Sequence, residues 1–337
     1  MPRKPRIEFA GALYHAMSRG NRGEAIFRDD RDRVRFLEAL GEACEKTGWR
    51  VHAYVLMSNH YHLLLETPQP NLVAGMKWLQ GTYTQRFNAR HRLRGHLLQG
   101  RYQAPVVEAE GEYFGVVSTY THLNAVRAGL VKAGERLASY RWSSYPAYVG
   151  GKRAGWLEVK RVLRSVGVAK DDRKGRSRYS AYLESRGVEV AMGKGKELEE
   201  EWKSIRRGWF VGSEEFREGL LARVGKVLRD RRRESLSGEE VREHRGREAE
   251  EELKWALRVL GWRKGSWESG AKGSEEKAVL AWWLRKRTVA GRRWVAERLG
   301  MGYETRVTAA SGMVERARRG RLWRWRRALE QGAGQRR

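Results

Sequence analysis

A chain of 337 residues that is 40% hydrophobic and 33% charged can bury a core, and its length allows two or three domains. Its formal net charge of +28 makes a polyanion the natural partner, and the lack of a long apolar run points to nucleic acid and away from a membrane. One cysteine, Cys44, excludes an internal disulfide, and the opening Met1 to Arg6 lacks the apolar centre of a signal peptide, so the chain reads as cytoplasmic.

Charge and proline usage divide the sequence. Residues 1–150 carry 21 Lys and Arg against 13 Asp and Glu, and the remainder carries 48 against 28. All six prolines lie at or before Pro146, and the later residues are rich in Glu, Lys, Arg and Leu. This shift predicts a boundary near Gly150-Gly151 with mostly helical sequence beyond it. Three regions are expected: a first domain over 1–150, a helical, charge-rich connection over 151–265, and a DNA-binding region with a basic tail over 266–337.

In chain order, Ala12 to Arg19 reads as a strand ended by Gly20-Asn21. Asp29 or Asp30 can cap a helix to about Lys46, with Val34, Leu37, Leu40, Ala43 and Cys44 on one face. Trp49 to Met57 and His60 to Glu66 read as an antiparallel pair joined by Ser58-Asn59. Asn71 caps a helix to about Arg90, Leu97 to Glu108 reads as a partly irregular strand, and a helix follows from Glu112 to Arg127. Strand, helix, strand, strand, helix, strand, helix is an α+β order, and a ferredoxin-like antiparallel sheet with helices on one face is expected.

His60 and His62 stand two apart. On a strand they project to the same face, and neutral imidazoles are common ligands for divalent metals. Tyr61 between them points to the other face. Tyr120 and Asn124 lie four apart on the last helix and share a face. Spacing alone leaves two readings: a phenol and an amide oxygen beside a cation, or a packed tyrosine and a capping asparagine.

Five motifs occur in order over roughly residues 5–150: Tyr14-His15, Arg19-Gly20-Asn21, Met57 to His62, Gln99 to Tyr102, and the run Tyr120 to Val131. Together they resemble the single-tyrosine HUH transposases, most of all the REP-associated tyrosine transposase branch. The resemblance implies the HUH endonuclease fold, with His60 and His62 as metal ligands, Asn124 as a third polar ligand, and Tyr120 as nucleophile. It implies Mg2+ or Mn2+ as cofactor, and single-stranded or hairpin DNA as the substrate cleaved through a 5′-phosphotyrosine. Where these relatives usually carry Pro after His-Leu-Asn, this chain has Ala125. A monomer or a homodimer would fit. A domesticated, catalytically inert DNA-binding regulator is the alternative.

Arg19 and Arg101, with Tyr102 as a stacking surface, are candidate DNA contacts of the first domain, and Arg86 and Arg90 are weaker ones. Ser213 is a candidate helix cap, and residues 228–254 form a dense charge run that reads as a solvated helix or linker. Ser274 to Arg287, Arg292 to Leu299 and Glu304 to Arg318 read as helices, the last with Val307, Ala310, Met313 and Val314 inward. The turn at Gly300-Met-Gly302 suggests a helix-turn-helix, with Arg306, Thr308 and Ser311 facing duplex DNA.

Overall fold

A computed structural model describes residues 6–132, 134–192, 202, 205, 208–229, 238–263, 265 and 267–334. They fall into two compact units, Arg6–Glu218 and Gly219–Arg337.

The first unit opens with β1 (Ala12–Arg19), on the expected residues, followed by α1 (Asp30–Thr47). The Asp29 carboxylate accepts from the backbone N–H of Asp32, and Gly48 ends the helix at a φ of 71°. β2 (Arg50–Leu56), β3 (His60–Thr67) and α2 (Leu72–His91) come next. Asn71 sits at the N-cap of α2, but its side chain is used elsewhere. Its Oδ1 accepts from Trp49 Nε1 at 2.8 Å and its Nδ2 donates to the Thr47 carbonyl at 2.9 Å.

The expected last strand is reduced to β4 (Val106–Val107), with isolated bridges at Leu98 and Gln103. Pro105 has no N–H to give to a ladder, and Gly100 turns the chain at a φ of 55°. α3 (Tyr113–Arg127) follows, then α4 (Tyr145–Gly150), α5 (Lys160–Ser165), α6 (Arg173–Ala191) and β5 (Phe210–Val211).

The sheet order is β2-β3-β1-β4-β5. Its first four strands form the expected β-α-β-β-α-β core, with β1 antiparallel to β3 and β2 antiparallel to β3. Two expectations are corrected. β5 pairs parallel with β4, so the five-stranded sheet is mixed. Helices also cover both faces. Tyr61 meets Phe36 of α1 and accepts from Gln80 of α2, whereas His62, on the opposite face, meets Tyr120 of α3. β3 is buried on both sides, so each face of its alternation needs a helical cover.

The first unit continues well past Gly150, where the sequence suggested a boundary. α6 packs on α3 because α3 buries polar groups on its back. His122 contacts the Tyr179 hydroxyl of α6 through Nδ1 at 2.8 Å, and Ser144 Oγ through Nε2 at 2.6 Å. Burial favours an imidazole with both nitrogens partnered, and Ser144 at the start of α4 and Tyr179 of α6 supply the partners.

The second unit holds the C-terminal part of α7 (Glu214–Arg229), which Ser213 caps through the N–H of Phe216, and five further helices. These are α8 (Glu239–Val259), α9 (Glu275–Arg287), α10 (Arg292–Arg298), α11 (Glu304–Arg316) and α12 (Gly320–Gly334). Residues 230–237 of the charge run lie outside the described residues. Ser274 caps α9 through the N–H of Lys277. The core stacks Trp255 on Trp283 and gathers Trp267, Trp282, Val295, Leu299 and Val307. Gly300 and Gly302, at φ 59° and 86°, reverse the chain between α10 and α11. Met313, expected inward, is exposed; at ~100° per residue it falls off the line through Val307 and Val314. Among the described residues no helix is long and apolar enough to cross a membrane.

Gly75 of α2 lies flat against the Trp49 ring, and a Cβ there would stand 2.1 Å from Trp49 Cζ2. The ring cannot retreat easily, because Asn71 holds its N–H. Gly75→Ala is therefore expected to destabilise the fold by about 1–3 kcal/mol, more than the helix gains from alanine. Urea unfolding followed by circular dichroism measures this, and an unchanged midpoint would show that the contact does not constrain the core.

Candidate active site

The β1–β3 register builds the floor of the site. Arg19 pairs with His60, Met17 with His62 and His15 with Leu64. His15 is therefore a diagonal neighbour of His62 on the same face. The Arg19-Gly20-Asn21 turn and the Ser58-Asn59-His60 turn lock each other. The Gly20 N–H donates to the Asn59 carbonyl at 2.7 Å, and Asn59 Nδ2 donates to the Gly23 carbonyl at 3.0 Å. Only glycine fits at position 20, where a Cβ would lie 2.0 Å from the Glu24 carbonyl oxygen.

That lock also sets a proton. With Asn59 Nδ2 spent on Gly23, Asn59 Oδ1 faces His60 Nδ1 at 2.7 Å. An amide oxygen can only accept, so His60 Nδ1 carries the hydrogen and Nε2 keeps its lone pair. His62 Nδ1 lies 3.0 Å from His15 Nε2. Neither His60 nor His62 has a partner for Nε2 among the described residues.

Burial holds all three rings neutral. It depresses His15 to about 3. It depresses His60 to about 4, with help from the Arg19 charge. It takes His62 well below the ordinary imidazole value, with further contributions from His15, His60 and Arg127.

α3 supplies the roof. The Tyr120 ring stands edge-on to His15 at 5.6 Å and to His62 at 5.8 Å between centroids. Asn124 Nδ2 donates to the Tyr120 carbonyl at 3.0 Å, and Asn124 Oδ1 accepts from Arg127 Nη1 at 3.4 Å. The Arg127 guanidinium lies over the Tyr120 ring at 5.1 Å and the Trp202 ring at 5.3 Å.

A cavity of about 710 Å³ opens here, lined by Arg19, His60, His62, Arg101, Tyr120, Asn124 and Arg127 among others. Among the described residues no carboxylate lines it. Among the described residues no group of three or more His, Cys, Asp and Glu is arranged to hold a metal ion. A divalent cation would thus rest on two imidazoles, with an amide oxygen or water beside them. The donor set fits such an ion: two neutral imidazoles, His62 buried and His60 half-buried, each engaged through Nδ1, are disposed to offer Nε2.

Of the expected site residues, the fold brings together Arg19, His60, His62, Arg101, Tyr120 and Asn124. Tyr102 does not line the cavity; it is buried, with the Arg6 guanidinium 4.3 Å over its ring. Arg86 and Arg90 are held by Glu42 and by Asp29 and Asp32. Sequence reasoning gave no role to His15 or Asn59, although both stand inside quoted motifs. It missed Trp202, which touches Tyr120 from 82 positions away and carries no local signal.

In the second unit, Thr308 and Ser311 line a separate cleft of about 580 Å³ with Arg285, Lys286, Arg292 and Arg326, where Glu315 is the one acidic lining residue. Arg306 does not line it; its guanidinium donates to the Met301 carbonyl at 3.0 Å.

Residues 9–124 match the model of the family described as IS200-like transposases. The matched stretch contains His60, His62, Tyr120 and Asn124, and it is where the sequence motifs lie. No curated protein matches the chain. A solved structure of the REP-associated tyrosine transposase bound to a REP hairpin is similar at 14% identity, over 47% of this chain and 98% of that one, with a TM-score of 0.38.

The buried imidazoles make stability depend on pH. His15, His60, His62 and His122 all take up protons in the folded chain only below their unfolded value near 6.5. As pH falls through 6.5 the unfolded chain binds protons first, so stability is full above that pH and declines below it, by up to ~1.4 kcal/mol per pH unit for each group. Thermal melts from pH 7 to 5 should fall more steeply than one imidazole allows; a flat profile would mean that these rings are not held neutral.

Proposed function

We propose that the first unit is a DNA endonuclease and strand transferase of the REP-associated transposase type, acting on single-stranded DNA or DNA folded into a hairpin. Tyr120 is its nucleophile. The observation that carries this reading is the meeting of a phenol from α3 with the imidazoles of His15 and His62, on the cavity that His60 also lines.

A phosphodiester resists attack because its negative charge repels nucleophiles. Arg19, Arg101 and Arg127 bring positive charge to the same cavity. Tyr120 Oη attacks phosphorus, the P–O3′ bond breaks, and the phenol's proton is replaced on the departing O3′. The products are a 5′-phosphotyrosine and a free 3′-hydroxyl. The covalent link conserves the bond for rejoining when a 3′-hydroxyl attacks in reverse. His60 and His62, with Asn124 Oδ1, would hold Mg2+ or Mn2+, which neutralises a non-bridging oxygen when bound. With two imidazoles and no thiolate, the set suits these ions when water fills the remaining positions.

Incubating the protein with a labelled single-stranded oligonucleotide and Mn2+ should yield a protein–DNA adduct stable to denaturation. Tyr120→Phe should abolish the adduct while leaving DNA binding intact. An adduct that survives would reject Tyr120 as nucleophile. Metal-independent binding with no adduct from the unaltered protein would favour the inert DNA-binding regulator.

The cleft of the second unit is the natural place for duplex DNA. It places Thr308 and Ser311 of α11 beside four cationic side chains. Lys286→Ala with Arg292→Ala should weaken duplex binding and reduce the slope of log affinity against log salt by about one for each phosphate left unneutralised. Arg306→Ala should change it less. An unaltered slope for the double variant would move the duplex contact elsewhere.

A further inference from the structure

We infer that His15 is a positioning residue: its Nε2 accepts a hydrogen bond from His62 Nδ1 and thereby turns the Nε2 lone pair of His62 toward the cavity. The inference rests on the reading of His62 as a cation ligand and adds a second requirement to it.

The geometry is that of an in-line pair of rings. His15 Nε2 and His62 Nδ1 are 3.0 Å apart, the ring planes differ by 15°, and the centroids are 5.0 Å apart. One hydrogen occupies the space between two nitrogens of neutral rings. If His62 donates it, His62 Nε2 is bare and can bind a cation. If His15 donates it, His62 carries its hydrogen on Nε2 and cannot bind one. The partner on Nδ1 therefore decides whether His62 is a ligand.

His60 has the same device in a different form, since Asn59 Oδ1 can only accept. The two ligands would thus be oriented by two different acceptors, an amide oxygen for one and an imidazole nitrogen for the other.

His15 is built to stay where it is. It is fully buried on a strand paired on both sides, and its backbone N–H donates to the Pro105 carbonyl at 3.0 Å. The Tyr120 ring closes over it. Its own Nδ1 is buried without a partner among the described residues. A buried polar group left unsatisfied is unfavourable, so a purely structural role would be better filled by an apolar side chain. An imidazole at this position is accounted for by what its other nitrogen does.

The test uses the full chain and Mn2+ as the probe. Binding is followed by electron paramagnetic resonance, and the His62 side-chain nitrogens by long-range 1H–15N correlation with diamagnetic Mg2+ in place of Mn2+. His15→Leu removes the acceptor at similar bulk and should weaken Mn2+ binding about 10–100-fold. His15→Gln places an amide oxygen near the lost nitrogen and should restore most of the affinity. With Mg2+ bound, the unaltered protein should show His62 protonated on Nδ1.

His62→Ala serves as the reference. If it leaves Mn2+ binding unchanged, the cation reading itself fails. If it abolishes binding while folded His15→Leu binds Mn2+ as tightly as the unaltered protein, only the role of His15 falls. Should His15→Leu fail to fold, the decision passes to His15→Gln and the nitrogen spectra: hydrogen on His62 Nε2 in the Mg2+-bound protein overturns the inference.

Discussion

The antiparallel pairing of β1 with β3 is the constraint on which the site depends. Strand side chains alternate, so a slip of β3 by one residue would send His60 and His62 to the face covered by α1 and α2 and part them from His15. Apolar side chains forbid that slip. Tyr61, Leu63 and Leu65 are fully buried, and Tyr61 is held by the Phe36 ring and the Gln80 amide. The burial of one face thus fixes the chemistry of the other. The mutual lock between Gly20, Gly23 and Asn59 then fixes the last pair of that register, Arg19 opposite His60.

Two opposing electrostatic demands meet in the cavity. Burial keeps its imidazoles neutral, which suits a cation, while Arg19, Arg101 and Arg127 fill the surroundings with positive charge, which does not. Among the described residues no carboxylate lines the cavity, so none of them offers a divalent ion fixed negative charge there. In the proposed reaction the phosphate brings it. Ion and DNA would then favour each other's binding, since each offsets the repulsion that the other meets in the empty cavity. Aromatic contacts serve the same end. The Tyr120 and Trp202 rings take up the Arg127 guanidinium through their faces, which holds that charge beside the phenol.

What the sequence made legible was local. The bounds of β1, the Asp29 and Ser213 caps, the alternation of His60, Tyr61 and His62, and the Gly turns around Met301 follow from periodicity and from side chains acting within a few residues. What it concealed was distant. Phe210 and Val211 add a parallel strand from 104 positions beyond their partners, Trp202 reaches Tyr120, and Tyr179 reaches His122; none belongs to a periodic pattern that names its contact. Tyr102 illustrates the converse. An aromatic residue beside an arginine reads as a base platform, yet Arg6 covers its ring and burial removes it from the cavity. His15 lay between these cases: its motif was visible, but its role required the diagonal contact that only strand pairing creates.

The burial of α3 explains how one helix can hold the Tyr120 phenol in place. Residues from Phe114 to Val126 are buried almost without interruption, and a helix apolar on so many sides must be enclosed on all of them. The sheet encloses one side through His62 and Phe114's contact with His52. α6 and the segment at Ser144 enclose the other through His122. The residues after 150 are thus part of the machinery that presents Tyr120. Asn124 adds the finest adjustment: by bonding back to the Tyr120 carbonyl it commits its amide nitrogen to the helix and turns its oxygen toward Arg127.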